Sequence, residues 1–226
     1  MIIIHGENTT NSRQKLFEII EEYKSKNLEV TRISAKQLSE AMLEEVLGAS
    51  DLFGTAKLIV IEELHSLPTS KKKKYFLDLV SKAQIHKVVL WEKRSLTAIM
   101  IKKFENAQEF EFKVSKTLFS WLELLGTSGN DQKKLKLLHS AIEIDGEFFC
   151  FLMLIRQIRQ LIQIKSGGNP GGAPFMVAKL SSQASKFSLD QLLDIYKKLL
   201  KIDLKTKTSN ILISETTMLD LLSLKL

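Results

Sequence analysis

A chain of 226 residues, 44% of them hydrophobic, carries enough apolar surface for one large domain or two small ones. Its net charge of +7 suits nucleic acid or an acidic protein partner and dictates neither. A lone cysteine, Cys150, excludes a disulfide framework and fits a reducing cytosol. The apolar N-terminal run is too short for a secretory signal, and Phe148–Ile155 is too short to span a bilayer. A soluble, cytoplasmic protein is expected.

The chain opens on MIIIHGENTTNSRQKLFEIIEEYK: an apolar run, a Gly6 turn, a polar loop and a helical pattern. Many α/β proteins hold a phosphate at such a turn. That chemistry needs several glycines, so that backbone N–H groups can wrap the anion, and a lysine and a hydroxyl at the helix start. Here Gly6 is the only glycine before Gly48, no glycine is followed by lysine, and Glu7 would repel an anion. Thr9, Thr10, Asn11 and Ser12 read as helix-capping residues. The expectation is a nucleotide-binding type of fold without a working phosphate loop, and no cofactor.

Further along, β-rich runs at Leu28–Ile33, Leu58–Ile61, Val88–Trp91 and Phe110–Val114 follow Ile2–Ile4. Between them lie segments with helical spacing, built on Leu16–Tyr23, Leu38–Leu47, Tyr75–Val80 and Leu96–Phe104. Such alternation predicts a parallel sheet covered by helices, over residues 1–115. From Lys116 the strand signal stops. LFSWLELLG, Asp131–Ile144, Glu147–Lys165, Phe175–Lys186, Leu189–Lys201 and Ile211–Leu224 read as helices, with SGGNPGGAP (Ser166–Pro174) as the flexible connection. Residues 116–226 are therefore expected to form an all-helical bundle of roughly five helices. The fold class is α/β plus all-α.

Little reactive chemistry is present. His5, His65, His86 and His139 lie far apart and form no metal-ligand spacing, and no nucleophile elbow occurs. No catalytic residue and no metal ligand is assigned, and Cys150 reads as a buried core thiol. Glu62-Glu63 end a strand at the carboxyl edge, where α/β sheets keep functional groups; with no phosphate loop beside them, they read as a solvated loop pair. Lys71, Lys72, Lys73 and Lys74 open a helix against its macrodipole, which makes them candidates for phosphate or DNA contact or, more plainly, a solvated face. Arg156 and Arg159 receive no role. In GASDLFGTAKLIVIEEL, a large apolar pair, Leu52-Phe53, falls in a turn before a buried strand. It either tucks under the sheet or projects toward a partner.

The order of motifs resembles the delta subunit of the bacterial DNA polymerase III clamp loader. The resemblance rests on HGEN, DLFGTAKLIVIEEL, KVVLWEKRSLTAIMIKKFENAQEFEF and LFSWL in the first half. In the second it rests on LMLIRQIRQLIQIK, on Pro174 and Val177 with QASKFSLDQLL, and on IDLKTKTS, whose Asp203, Lys205 and Thr206 are similar to the family's signature shortened by a residue. It implies an AAA+-like first domain without a working ATP site, and a helical collar that assembles with other loader subunits. It also implies a non-enzymatic role: binding and opening the sliding clamp for loading on primed DNA, with DNA inside the complex. Leu52 and Phe53 would be the clamp-binding pair. The sequence departs from the family in lacking the small helical lid, since LFSWLELLG runs through a short loop into DQKKLKLLHSAIEIDGEFF, and in placing GGNPGGA where the collar normally has helix. Two other readings compete: a free-standing basic DNA-binding module using Lys71–Lys74, and a degenerate NTPase using Glu62 or Glu63.

Overall fold

The computed structural model describes residues 1–48, 57–83, 86–208 and 215–225. The chain divides into two compact units, Met1–Val114 and Ser115–Leu226.

The first unit is mixed α/β. Strands β1 (Ile2–His5), β2 (Val30–Ser34), β3 (Leu58–Glu62), β4 (Lys87–Glu92) and β5 (Gln108–Glu111) form one five-stranded sheet in the order β2-β3-β4-β1-β5. Every pairing is parallel. Helices α1 (Thr9–Ser25), α2 (Glu40–Gly48), α3 (Lys71–Ser81) and the single turn α4 (Ala98–Ile101) make the connections.

Successive strand residues point to opposite faces, and the sequence puts apolar residues on both. Ile3, Ile59, Ile61, Val88 and Leu90 face one way, onto Leu43 of α2 and Phe76 and Val80 of α3. Ile2, Ile4, Leu58, Val60, Val89 and Trp91 face the other, onto Leu16, Ile19 and Ile20 of α1. This is why the central strands read as unbroken apolar runs. Strand β5 is an edge strand, and only Phe110 within it is partly buried. It begins earlier than the apolar residues suggest, because pairing with β1 aligns Gln108 with Ile2 and Phe110 with Ile4. The helix expected from Leu96 to Phe104 shrinks to α4. Phe104 N–H closes a turn on the Ile101 carbonyl instead, and Ile99 is left exposed.

The second unit contains, among the described residues, six helices: α5 (Lys116–Leu124), α6 (Asp131–Asp145), α7 (Glu147–Lys165), α8 (Pro174–Ala184), α9 (Leu189–Lys207) and α10 (Glu215–Lys225). The estimate of roughly five falls short, and α9 continues past Lys201 through a last turn that carries Lys205 and Lys207. Trp121 of α5 is fully buried, and its indole N–H donates to Ser223 Oγ of α10 at 2.9 Å. Buried Gln183 of α8 donates to the carbonyls of Leu122 (2.6 Å) and Leu125 (3.1 Å) at the end of α5 and accepts from Gln157 at 2.5 Å. That satisfies carbonyls a helix end leaves open. Gly126 follows in the left-handed region, where a Cβ would meet the Phe187 ring. Cys150 is buried in the core, as its apolar surroundings predict.

Candidate functional site

The loop after β1 lies where chain direction reverses across the sheet: β1 leads to distant β2, while β4 leads past β1 to β5. Open α/β sheets keep ligand sites at such a place. Here several backbone groups in and beside the loop are engaged within the chain. Phe112 N–H donates to the His5 carbonyl at 2.8 Å, and Asn8 N–H donates to the Phe112 carbonyl at 3.0 Å. Thr9 N–H donates to the Glu7 carbonyl at 2.9 Å. Gly6 has φ +130°, and a Cβ there would lie 2.8 Å from Phe112 N and nearer still to its carbonyl. The glycine serves close approach of the β5 extension.

Side chains complete the closure. Glu7 accepts from Ser95 N–H (3.3 Å) and Ser95 Oγ (3.0 Å). His5, fully buried, accepts from Leu96 N–H at Nδ1 (3.1 Å), and its Nε2 lies 3.0 Å from Glu109 Oε1. That arrangement places the ring proton on Nε2. The N-cap of α1 is Asn8 rather than one of Thr9–Ser12; its Oδ1 accepts from Asn11 N–H at 3.1 Å. Ser12 instead turns inward and accepts from the Trp91 indole N–H at 3.2 Å.

Glu62 and Glu63 are not the solvated pair expected. Glu62 accepts from Arg32 on β2 and Arg13 on α1, each at 2.7 Å. The Arg13 guanidinium also lies 3.4 Å from the centroid of the Trp91 ring. Burial works against ionisation of Glu62, but Arg32 and Arg13 outweigh it and hold the carboxyl below its ordinary range. Glu63, at φ 62°, binds Lys93 at 2.9 Å, with Lys36 at 4.0 Å. The two carboxylates are thus engaged by four cations brought from β2, α1 and the turns after β2 and β4.

Glu92, at the end of β4 and 1% exposed, accepts from His65 N–H at 2.6 Å, and His65 Nδ1 lies 3.2 Å from the same oxygen. The His65 ring stands edge-on to Phe104, with centroids 5.9 Å apart. Spacing gave no sign of this pair, because its members are joined only by the β3–β4 pairing. His86 Nδ1 accepts from Lys57 N–H at 3.2 Å, and His139 meets Asp220 at 2.8 Å.

The four lysines part company. Ser70 caps α3 through Lys73 N–H. Lys73 turns back, and its ammonium donates to the carbonyls of His65 (2.6 Å) and Leu67 (2.9 Å). Lys72 lies 5.3 Å from the Phe76 ring centroid. Lys71 and Lys74 are exposed. Lys71, Lys72 and Lys74 thus stay exposed on the first turn of α3, and Lys73 is engaged by the loop before it. Arg159 donates to Tyr196 Oη at 3.2 Å. Leu52 and Phe53 lie outside the described residues, in the connection between α2 and β3. Among the described residues no helix is long and apolar enough to cross a membrane, and no three metal-ligating side chains converge.

No family model matches the sequence, and no curated protein matches it. Among solved structures, the chain is similar to the Bacillus subtilis DNA clamp loader delta protein. Identity is 12% and the TM-score 0.44, over 99% of this chain and 94% of that one.

Proposed function

We propose that the chain is a non-catalytic subunit of a DNA clamp loader, of the delta type. In this reading it binds the ring-shaped sliding clamp and opens it for loading on primed DNA within the DNA polymerase III complex. The first unit is then an AAA+-like domain without a working nucleotide site. One observation carries the reading: at the switch point of a parallel sheet, the backbone of Phe112 occupies the loop that would hold a phosphate. The neighbouring strand-end carboxylates are neutralised by Arg13, Arg32 and Lys93. A nucleotide-type sheet closed in this way suits a subunit that works by binding. The ordered motifs of the sequence add the clamp and the other loader subunits as partners, the latter through the helical second unit.

Leu52 and Phe53 form the clamp-binding pair in this proposal. Burying each contributes about 1.5–3 kcal/mol, so removing both weakens binding by roughly two orders of magnitude or more. The test is binding of the purified chain to the sliding clamp of the same organism, beside a Leu52→Ala/Phe53→Ala variant. Tight binding that the variant loses supports the proposal. No binding by either folded protein overturns it.

A further inference from the structure

Helix α9 buries Leu192 and Leu199 in its own unit, yet carries a second apolar stripe that the fold leaves in solvent. Leu189, Leu193, Leu200 and Leu204 are 36%, 37%, 54% and 54% exposed. At about 100° per residue, all four fall within an arc of about 60°. They are also symmetric: Leu189 and Leu204, and likewise Leu193 and Leu200, lie equally far on either side of the midpoint between Tyr196 and Lys197.

The charged flank of the stripe is segregated along the axis. Asp190 and Asp194 lie toward the N-terminal end, and Lys197, Lys201 and Lys205 toward the C-terminal end. A twofold axis through the helix midpoint pairs each flank with itself in reverse. Asp190 then meets the Lys201–Lys205 stretch of the other helix, and Asp194 meets Lys197–Lys201. The leucines superpose in the same operation, Leu193 on Leu200 and Leu189 on Leu204. A parallel twofold arrangement would instead set this flank against the other edge of the stripe and lose these acid–lysine pairings.

We propose that this face of α9 is an isologous docking surface for a second copy of the chain, with the two α9 helices antiparallel. A 19-residue helix is about 28 Å long, so the contact falls below the roughly 1,200 Å² at which standard interfaces begin. The dimer is therefore concentration-dependent. The inference stands independently of the clamp-loader reading, since it uses only the symmetry and charge of one helix.

Sedimentation equilibrium of the full chain tests it. The expected result is a reversible monomer–dimer equilibrium by about 100 μM, with Leu193→Glu/Leu200→Glu weakening dimerisation by about tenfold or more. Charge exchange tests the geometry. Asp190→Lys/Asp194→Lys and Lys197→Glu/Lys201→Glu/Lys205→Glu should each be monomeric alone and associate when mixed. Circular dichroism establishes that each variant is folded. A native chain that stays monomeric overturns the proposal. So does a dimer indifferent to Leu193 and Leu200, or failure of the two folded charge variants to associate.

Discussion

Gly6 and Phe112 are packed backbone to backbone: the space a Cβ would take at residue 6 is filled by the peptide of residue 112. This contact fastens the extension of an edge strand across the loop after β1. The joint lies where sheet topology offers ligand sites.

Gly6→Ala should therefore be costly. It adds a clash with backbone and forces an alanine into φ +130°. The expected loss is roughly 2–4 kcal/mol, read as a lower urea midpoint. Gly129→Ala, at φ 74° but with open space around its Cβ, should lose only about 1 kcal/mol.

If the loop is closed in this way, saturating ATP with Mg²⁺ should leave the melting temperature of the purified chain unchanged, because a ligand stabilises only the state it binds. A nucleotide-dependent rise would favour the degenerate NTPase reading.

Glu62 links stability to pH. Its folded-state pKa lies below the unfolded value. Its contribution is thus complete above about pH 5, where the unfolded carboxyl is also ionised, and is lost as pH falls through the folded pKa. Glu62→Gln should cost about 1 kcal/mol at neutral pH, since both arginines are partly exposed. The difference from the native chain should close on acidification, as measured by urea unfolding across pH.

Within the lysine run, Lys73 is the structural member. Lys73→Met removes two charge-assisted hydrogen bonds to the loop between β3 and α3. It should lower stability by about 1.5–3 kcal/mol, whereas Lys71→Met and Lys74→Met should each change it by less than about 0.5 kcal/mol. Thermal unfolding of the three variants separates them.

Burial, with Asp145 nearby, pushes the Cys150 thiol up to about 12. The reactive thiolate is therefore scarce at ordinary pH. The native chain should resist a thiol reagent such as DTNB at about pH 8 and react promptly once unfolded. Rapid labelling of the native protein would contradict its placement in the core.

Periodicity and composition determined much of this protein by themselves. Apolar runs on β1, β3 and β4 announced strands covered on both faces, because a sheet between helix layers has no polar side. The 3.6-residue spacing in Leu16–Tyr23 and Tyr75–Val80 announced helices, because those stripes pack onto the sheet. The scarcity of glycine and lysine in the Gly6 loop set an expectation against a phosphate site, which the ATP melting measurement tests, since that chemistry depends on local backbone N–H groups. What lay beyond reach was every contact between residues distant in the chain. The tertiary structure alone set Phe112 into the Gly6 loop, Arg13 and Arg32 onto Glu62, Glu92 beneath His65, and Gln183 against the end of α5. Strand order and helix packing create these neighbours, and hydrogen bonds and ion pairs act over about 3 Å regardless of sequence separation. Sequence spacing carries no trace of them.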